Sequence, residues 1–159
     1  MKQSSIIFLK VALVLIGIAV FAGLIRFPLT EGRATNLDLF NIYRDPFIVY
    51  GYVASIPFFT ALYQAFKLLG YIGQNRVFSP SSVRALRTIK YCALAIVGFI
   101  IVGEIWLIIA QHGQDDMAGP LSLGIITMFA STVIATAAAV FERLLQNAVD
   151  IKSENDLTV

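Results

Sequence analysis

One acid sits inside an otherwise uncharged apolar run. Glu104 lies in the stretch Tyr91–Ala110, which reads YCALAIVGFIIVGEIWLIIA. An acid at the centre of a membrane helix costs at least ~2.5 kcal/mol on insertion scales, so Glu104 should face protein or water. Three readings compete. Glu104 is structural, neutral or hydrogen-bonded to a neighbour such as Thr127 or Ser131. It binds a proton or cation in a transport cycle. Or it lies shallower, near the outer interface with Gln111 and His112. Those residues make Glu104, Thr127 and Ser131 the candidate intramembrane polar site.

Little else in the chain could do chemistry. It has one histidine and one cysteine. A metal site built on nitrogen and sulfur needs more ligands than that, so His112 reads as an interfacial residue and Cys92 as a packing residue. No serine or threonine has a base placed to activate it. There is no glycine-rich phosphate loop, no HExxH and no GxSxG. The expectation is a protein that is not an enzyme and has no cofactor.

The elements that must position Glu104 follow from composition. The chain has 159 residues, 58% of them hydrophobic and 14% charged. Its mean hydropathy is +0.79. Soluble domains carry roughly 25% charged residues, and so few charges cannot cover this much apolar surface. The excess must face lipid. A run of twenty apolar residues makes a helix of about 30 Å, the thickness of the hydrocarbon core. Four such runs fall at about 6–25, 47–69, 91–110 and 119–141, followed by a tail at 142–159. The fold class is therefore all-α: an integral membrane bundle of four transmembrane helices in a single domain, 1–159.

Local signals refine these spans. Lys10 interrupts the first run, where its stem can carry the ammonium to the headgroups. A rival reading of this run is a cleaved signal peptide ending at Val20-Phe21-Ala22. The segment 26–46 is polar with balanced charge. It reads either as an interfacial element capped by Thr35 or Asn36, or as a loop over the outer mouth of the bundle. Asp45-Pro46 and Ser79-Pro80 are helix starts: a capping side chain, then proline at the first position. Pro57 falls mid-span and reads as a static kink or a hinge. Gly124, Thr127, Ser131, Ala135 and Ala138 form a small-residue stripe of the kind that lets membrane helices approach closely. The last helix continues past Glu142-Arg143 to about Ile151, with Leu144, Leu145, Ala148 and Ile151 in helical period.

Charge orients the bundle. With the N-terminus inside, the inner segments hold Lys2, Lys10, Lys67, Arg76, Arg84, Arg87, Lys90, Arg143 and Lys152. The outer ones hold Arg26, Arg33 and Arg44. Nine against three places both termini in the cytoplasm and argues against dual topology. The location read from this is the inner (plasma) membrane, multi-pass. Arg84, Arg87 and Lys90 share one helical face. They read as topogenic charges touching anionic headgroups, or as a docking face for an acidic partner.

The second half of the chain resembles a known family. Phe78-Ser79-Pro80, the run Val83-Arg84-Ala85-Leu86-Arg87, and the ending Glu154-Asn155-Asp156-Leu157-Thr158-Val159 look like parts of a group of small four-helix bacterial membrane proteins of unknown function. Ser81-Ser82 stand where that group carries acidic or amide residues. The resemblance transfers no catalytic or binding residue. It implies a partner, because such proteins are often encoded beside a Cro/C1-type helix-turn-helix regulator. The docking candidates are then Arg84, Arg87, Glu154 and Asp156, with the Leu144–Ile151 face. The alternative is that the acidic tail folds back onto the Arg84/Arg87 face of its own bundle.

The favoured reading is a non-enzymatic inner-membrane protein of sensing or regulatory role, whose partners are the lipid bilayer and a small helix-turn-helix transcriptional regulator, without direct nucleic-acid binding. The alternatives are a small homo-oligomeric transporter or channel using Glu104, and an immunity-type membrane protein.

Overall fold

A computed structural model describes residues 3–30, 43–110 and 118–157. These form four helices: α1 (Gln3–Thr30), α2 (Pro46–Gly73), α3 (Pro80–Ala110) and α4 (Ala118–Leu157). All four are long and apolar enough to cross a membrane. Each runs past its expected apolar window at one end or both, because capping chemistry rather than hydropathy sets helix ends. Asp45 Oδ1 accepts from Phe47 N at 2.8 Å, and α2 opens on Pro46. Ser79 Oγ accepts from Ser82 N at 3.3 Å, and α3 opens on Pro80. The element expected around Thr35 and Asn36, together with Gln111 and His112, lies outside the described residues.

Successive helices pack antiparallel: α1 on α2, α2 on α3, α3 on α4, with the last pair in the most extensive contact. Gly17 of α1 meets Leu62 of α2, and Phe21 stacks edge-on against Phe59 with ring centroids 6.3 Å apart. Tyr50 of α2 donates its hydroxyl to the Phe99 carbonyl of α3. One end of the bundle therefore carries the start of α1, the α2–α3 connection and the end of α4. We call this the termini end.

Two proline positions show how the chain handles lost backbone bonds. Pro28 in α1 has no N–H to give to the carbonyl of Leu24, four residues back. Tyr52 of α2 supplies the missing donor, its hydroxyl lying 3.1 Å from Leu24 O. Tyr43 donates to the next carbonyl, Ile25 O, at 3.2 Å. The sequence reading offers a static kink or a hinge at Pro57; α2 passes through it as one helix.

The outer surface is what lipid requires. Phe8 and Phe129 are each 72% exposed, and Ile109 69%. Contiguous apolar exposure on this scale does not survive in water. Lys10 lies within α1, its ammonium 5.0 Å from the centre of the Phe66 ring, a cation–π contact.

The α2–α3 connection is a built turn. Asn75 N donates to Ile72 O at 3.2 Å and Arg76 N to Tyr71 O at 2.8 Å. Asn75 takes φ +56°, the left-handed conformation that ends helices in this pattern and that asparagine tolerates. Ser82, fully buried, closes the turn by donating to Arg76 O at 3.2 Å. This gives a structural role to one of the two serines at which the chain departs from the resembling group.

Candidate functional site

The α3–α4 seam carries a carboxylate toward each end. On α3, Val83, Leu86, Lys90, Ala93 and Glu104 fall at alternating three- and four-residue steps or their sums, one face of a helix. On α4 the matching face is Gly124, Ser131, Ala135, Ala138 and Glu142. Ser131, Ala135 and Ala138 are buried, and their small side chains let the two backbones close.

Glu104 meets Gly124. A Cβ built on Gly124 would stand 1.8 Å from Glu104 Oε1 and 2.8 Å from Cδ, so the carboxyl group occupies the space that glycine leaves. Oε1 is buried and has no hydrogen-bond partner among the described residues. Of the two neighbours expected for it, Thr127 is exposed and gives its hydroxyl to Leu123 O of its own helix at 2.8 Å. Ser131 is buried two helical turns further along. The residue brought to Glu104 is thus the glycine of the stripe rather than its threonine.

At the other end Glu142 is clasped by two cations. Its carboxylate accepts from Arg87 Nε at 2.7 Å and from Lys90 Nζ at 2.6 Å. Arg87 and Lys90 lie one turn apart on α3, just before the apolar window begins at Tyr91, and Glu142 follows its end on α4 at Phe141. Glu142 is only 8% exposed. The hydrogen bonds from Lys90 and then Arg87 hold its carboxyl below the ordinary carboxylate range, against the opposing effect of burial. The same contact raises the Arg87 guanidinium.

The acid that Arg87 meets is therefore Glu142. The sequence reading offered the tail for that role, folding back on Arg84 and Arg87. Instead α4 continues as one helix to Leu157, six residues past the expected end. Glu154 is exposed on that extension, and Asp156 lies in its last turn. Arg84 is exposed on the opposite side of α3 from buried Leu86. The extension also shows Leu144 and Ile151 to the surroundings, 58% and 60% exposed.

Among the described residues no cluster of histidine, cysteine, aspartate and glutamate could hold a metal ion. A family described as "Protein of unknown function (DUF2975)" matches residues 28–159. The chain belongs to this family. The match covers α2, α3 and α4 and so includes Glu104, Gly124, Glu142 and the α2–α3 turn. The chain is also 50% identical, over the full length of both, to the "Uncharacterized membrane protein YoaS" of Bacillus subtilis (strain 168). No solved structure matches it. Neither similarity points to catalysis, and the name of the relative agrees with the four helices long and apolar enough to cross a membrane.

Sequence reasoning missed Glu142, and the signal was present. Glu142 continues the Ser131, Ala135, Ala138 stripe by four residues. A carboxylate on a small-residue face predicts a buried cation opposite, and Lys90 lies on the matching face of α3. Hydropathy hid this by ending the span at Phe141.

Proposed function

We propose that this DUF2975 protein is a non-enzymatic regulatory protein of the plasma membrane, with its termini end in the cytoplasm, acting through a soluble partner that docks on the extension of α4. The observation that carries this reading is the unbroken helix from Ala118 to Leu157. It joins the membrane seam to an extension at the termini end that bears exposed Leu144 and Ile151. The Glu142 clasp sits where α4 passes from the apolar seam to its extension, so a change in seam packing reaches the docking surface without crossing a flexible joint. A Cro/C1-type helix-turn-helix regulator is the partner proposed, with Arg84, Arg87, Glu154 and Asp156 as the polar contacts. Affinity capture of the detergent-solubilised protein tests this. The full chain should retain the regulator, and deletion of Ser153–Val159 should release it. Equal recovery with and without that segment would defeat the docking surface named here.

A second reading rests on the buried Oε1 of Glu104, which has no hydrogen-bond partner among the described residues. A small homo-oligomeric transporter would use that oxygen to bind a proton or cation. It predicts ion or drug flux in liposomes that Glu104→Gln abolishes while folding and insertion persist.

A further inference from the structure

We infer that the groove beside the Asn75 turn is a binding site for the headgroup of an anionic phospholipid. This does not rest on the soluble partner proposed above. The groove, about 620 Å³ in volume, opens at the termini end between the α2–α3 connection and α4. Among the described residues its charged side chains are Arg76 from the connection and Lys152 from α4, and no carboxylate lines it. An anion bound between them would bridge two elements. Arg76 is held for this: its N–H bonds Tyr71 O, and its carbonyl accepts from Ser82.

Apolar side chains complete the groove. Phe78 and Ile151 stand beside the cations and are 57% and 60% exposed. Charge and hydrocarbon together are the chemistry of an amphiphile. The depth fits as well. Ile6 packs on Gly73, at 3.6 Å from where a Cβ would be, so the first turns of α1 lie level with the end of α2. There Ile7 and Phe8 are 60% and 72% exposed. So apolar a surface at that level brings the hydrocarbon edge to the turn and puts Arg76 at headgroup depth. Basic pockets between helices at this depth take anionic headgroups. An acidic protein segment would satisfy the two cations but would leave this apolar surface of α1 unexplained.

The test uses the full chain in nanodiscs of equal phosphatidylglycerol and phosphatidylcholine, with the lipids retained after transfer to neutral detergent counted by native mass spectrometry. The native protein should keep phosphatidylglycerol in preference to phosphatidylcholine. R76Q/K152Q should weaken phosphatidylglycerol retention about 30-fold, the product expected for two cations facing an anionic headgroup. K67Q/R143Q removes the same charge elsewhere and should leave retention unchanged. Equal loss in both pairs, no loss in the first, or equal retention of the two lipids in the native protein would overturn the site. Displacement of the lipid by millimolar inorganic phosphate, or by an acidic peptide, would overturn the assignment to a lipid. Should R76Q/K152Q fail to fold, the native chain decides alone: phosphatidylglycerol must raise its melting temperature more than phosphatidylcholine does.

Discussion

Substituting Gly124 by alanine tests the packing of Glu104 directly. The new Cβ would fall 1.8 Å from Oε1, 2.8 Å from Cδ and 3.3 Å from Cγ of Glu104. Rotating the carboxyl group alone relieves the first contact but not the second, so the side chain must leave its rotamer or the helices must part. Overpacking of this kind costs about 1–3 kcal/mol. Alanine in place of glycine returns about 1 kcal/mol of helix propensity. The single variant G124A should therefore be destabilised by roughly 0–2 kcal/mol. In an E104A background the obstruction is gone, and the same change should stabilise by about 1 kcal/mol. The assay is a double-mutant cycle on reversible unfolding in mixed detergent micelles, followed by helical circular dichroism. The expected coupling is about 1–3 kcal/mol. Additivity within about 0.3 kcal/mol would refute the claim that the glycine exists to seat the carboxyl group.

Three further predictions follow from other contacts. Glu142→Gln should destabilise the bundle by about 1–3 kcal/mol, because it weakens two charge-assisted bonds at a buried acid. The folded-state carboxyl titrates below its unfolded value, so this stabilisation is present above about pH 4.3 and is lost as pH falls through the folded value. The difference between native and E142Q melting temperatures should therefore shrink toward zero in acid and stay level from pH 6 to 8. Tyr52→Phe should cost about 0.5–1.5 kcal/mol by orphaning Leu24 O, and Pro28→Ala, which restores a backbone donor there, should erase that cost; an unchanged penalty in the double variant would deny that the tyrosine substitutes for the proline. Reporter fusions at Asn75 should read cytoplasmic and fusions within 31–42 exterior; the reverse pattern would invert the proposed orientation.

The four spans were legible because a bilayer leaves a protein little choice: about twenty apolar residues in a row is a signal that no soluble alternative imitates. Helix starts were legible where side chains announce them, as at Asp45-Pro46 and Ser79-Pro80. The partners of polar groups were not. Whether Glu104 meets Thr127 or Gly124 depends on the angle at which α3 crosses α4, and that angle is fixed by many small contacts rather than by any one motif. Lys90 and Glu142 are fifty-two positions apart. Their meeting is a consequence of antiparallel register, which hydropathy does not encode. The length of α4 was underestimated for a related reason: the apolar period fades after Ile151, while the backbone helix runs on to Leu157 without one.

The length of α4 has a mechanical implication. Forty residues make a rod of about 60 Å. Glu142 divides the working part of it: about 27 Å lead back to Gly124 and about 22 Å forward to Leu157. Rigid tilting of the helix about that clasp would have nearly equal arms. In such a tilt, each ångström of sideways displacement at Gly124 would carry the far tip about 0.8 Å in the opposite sense.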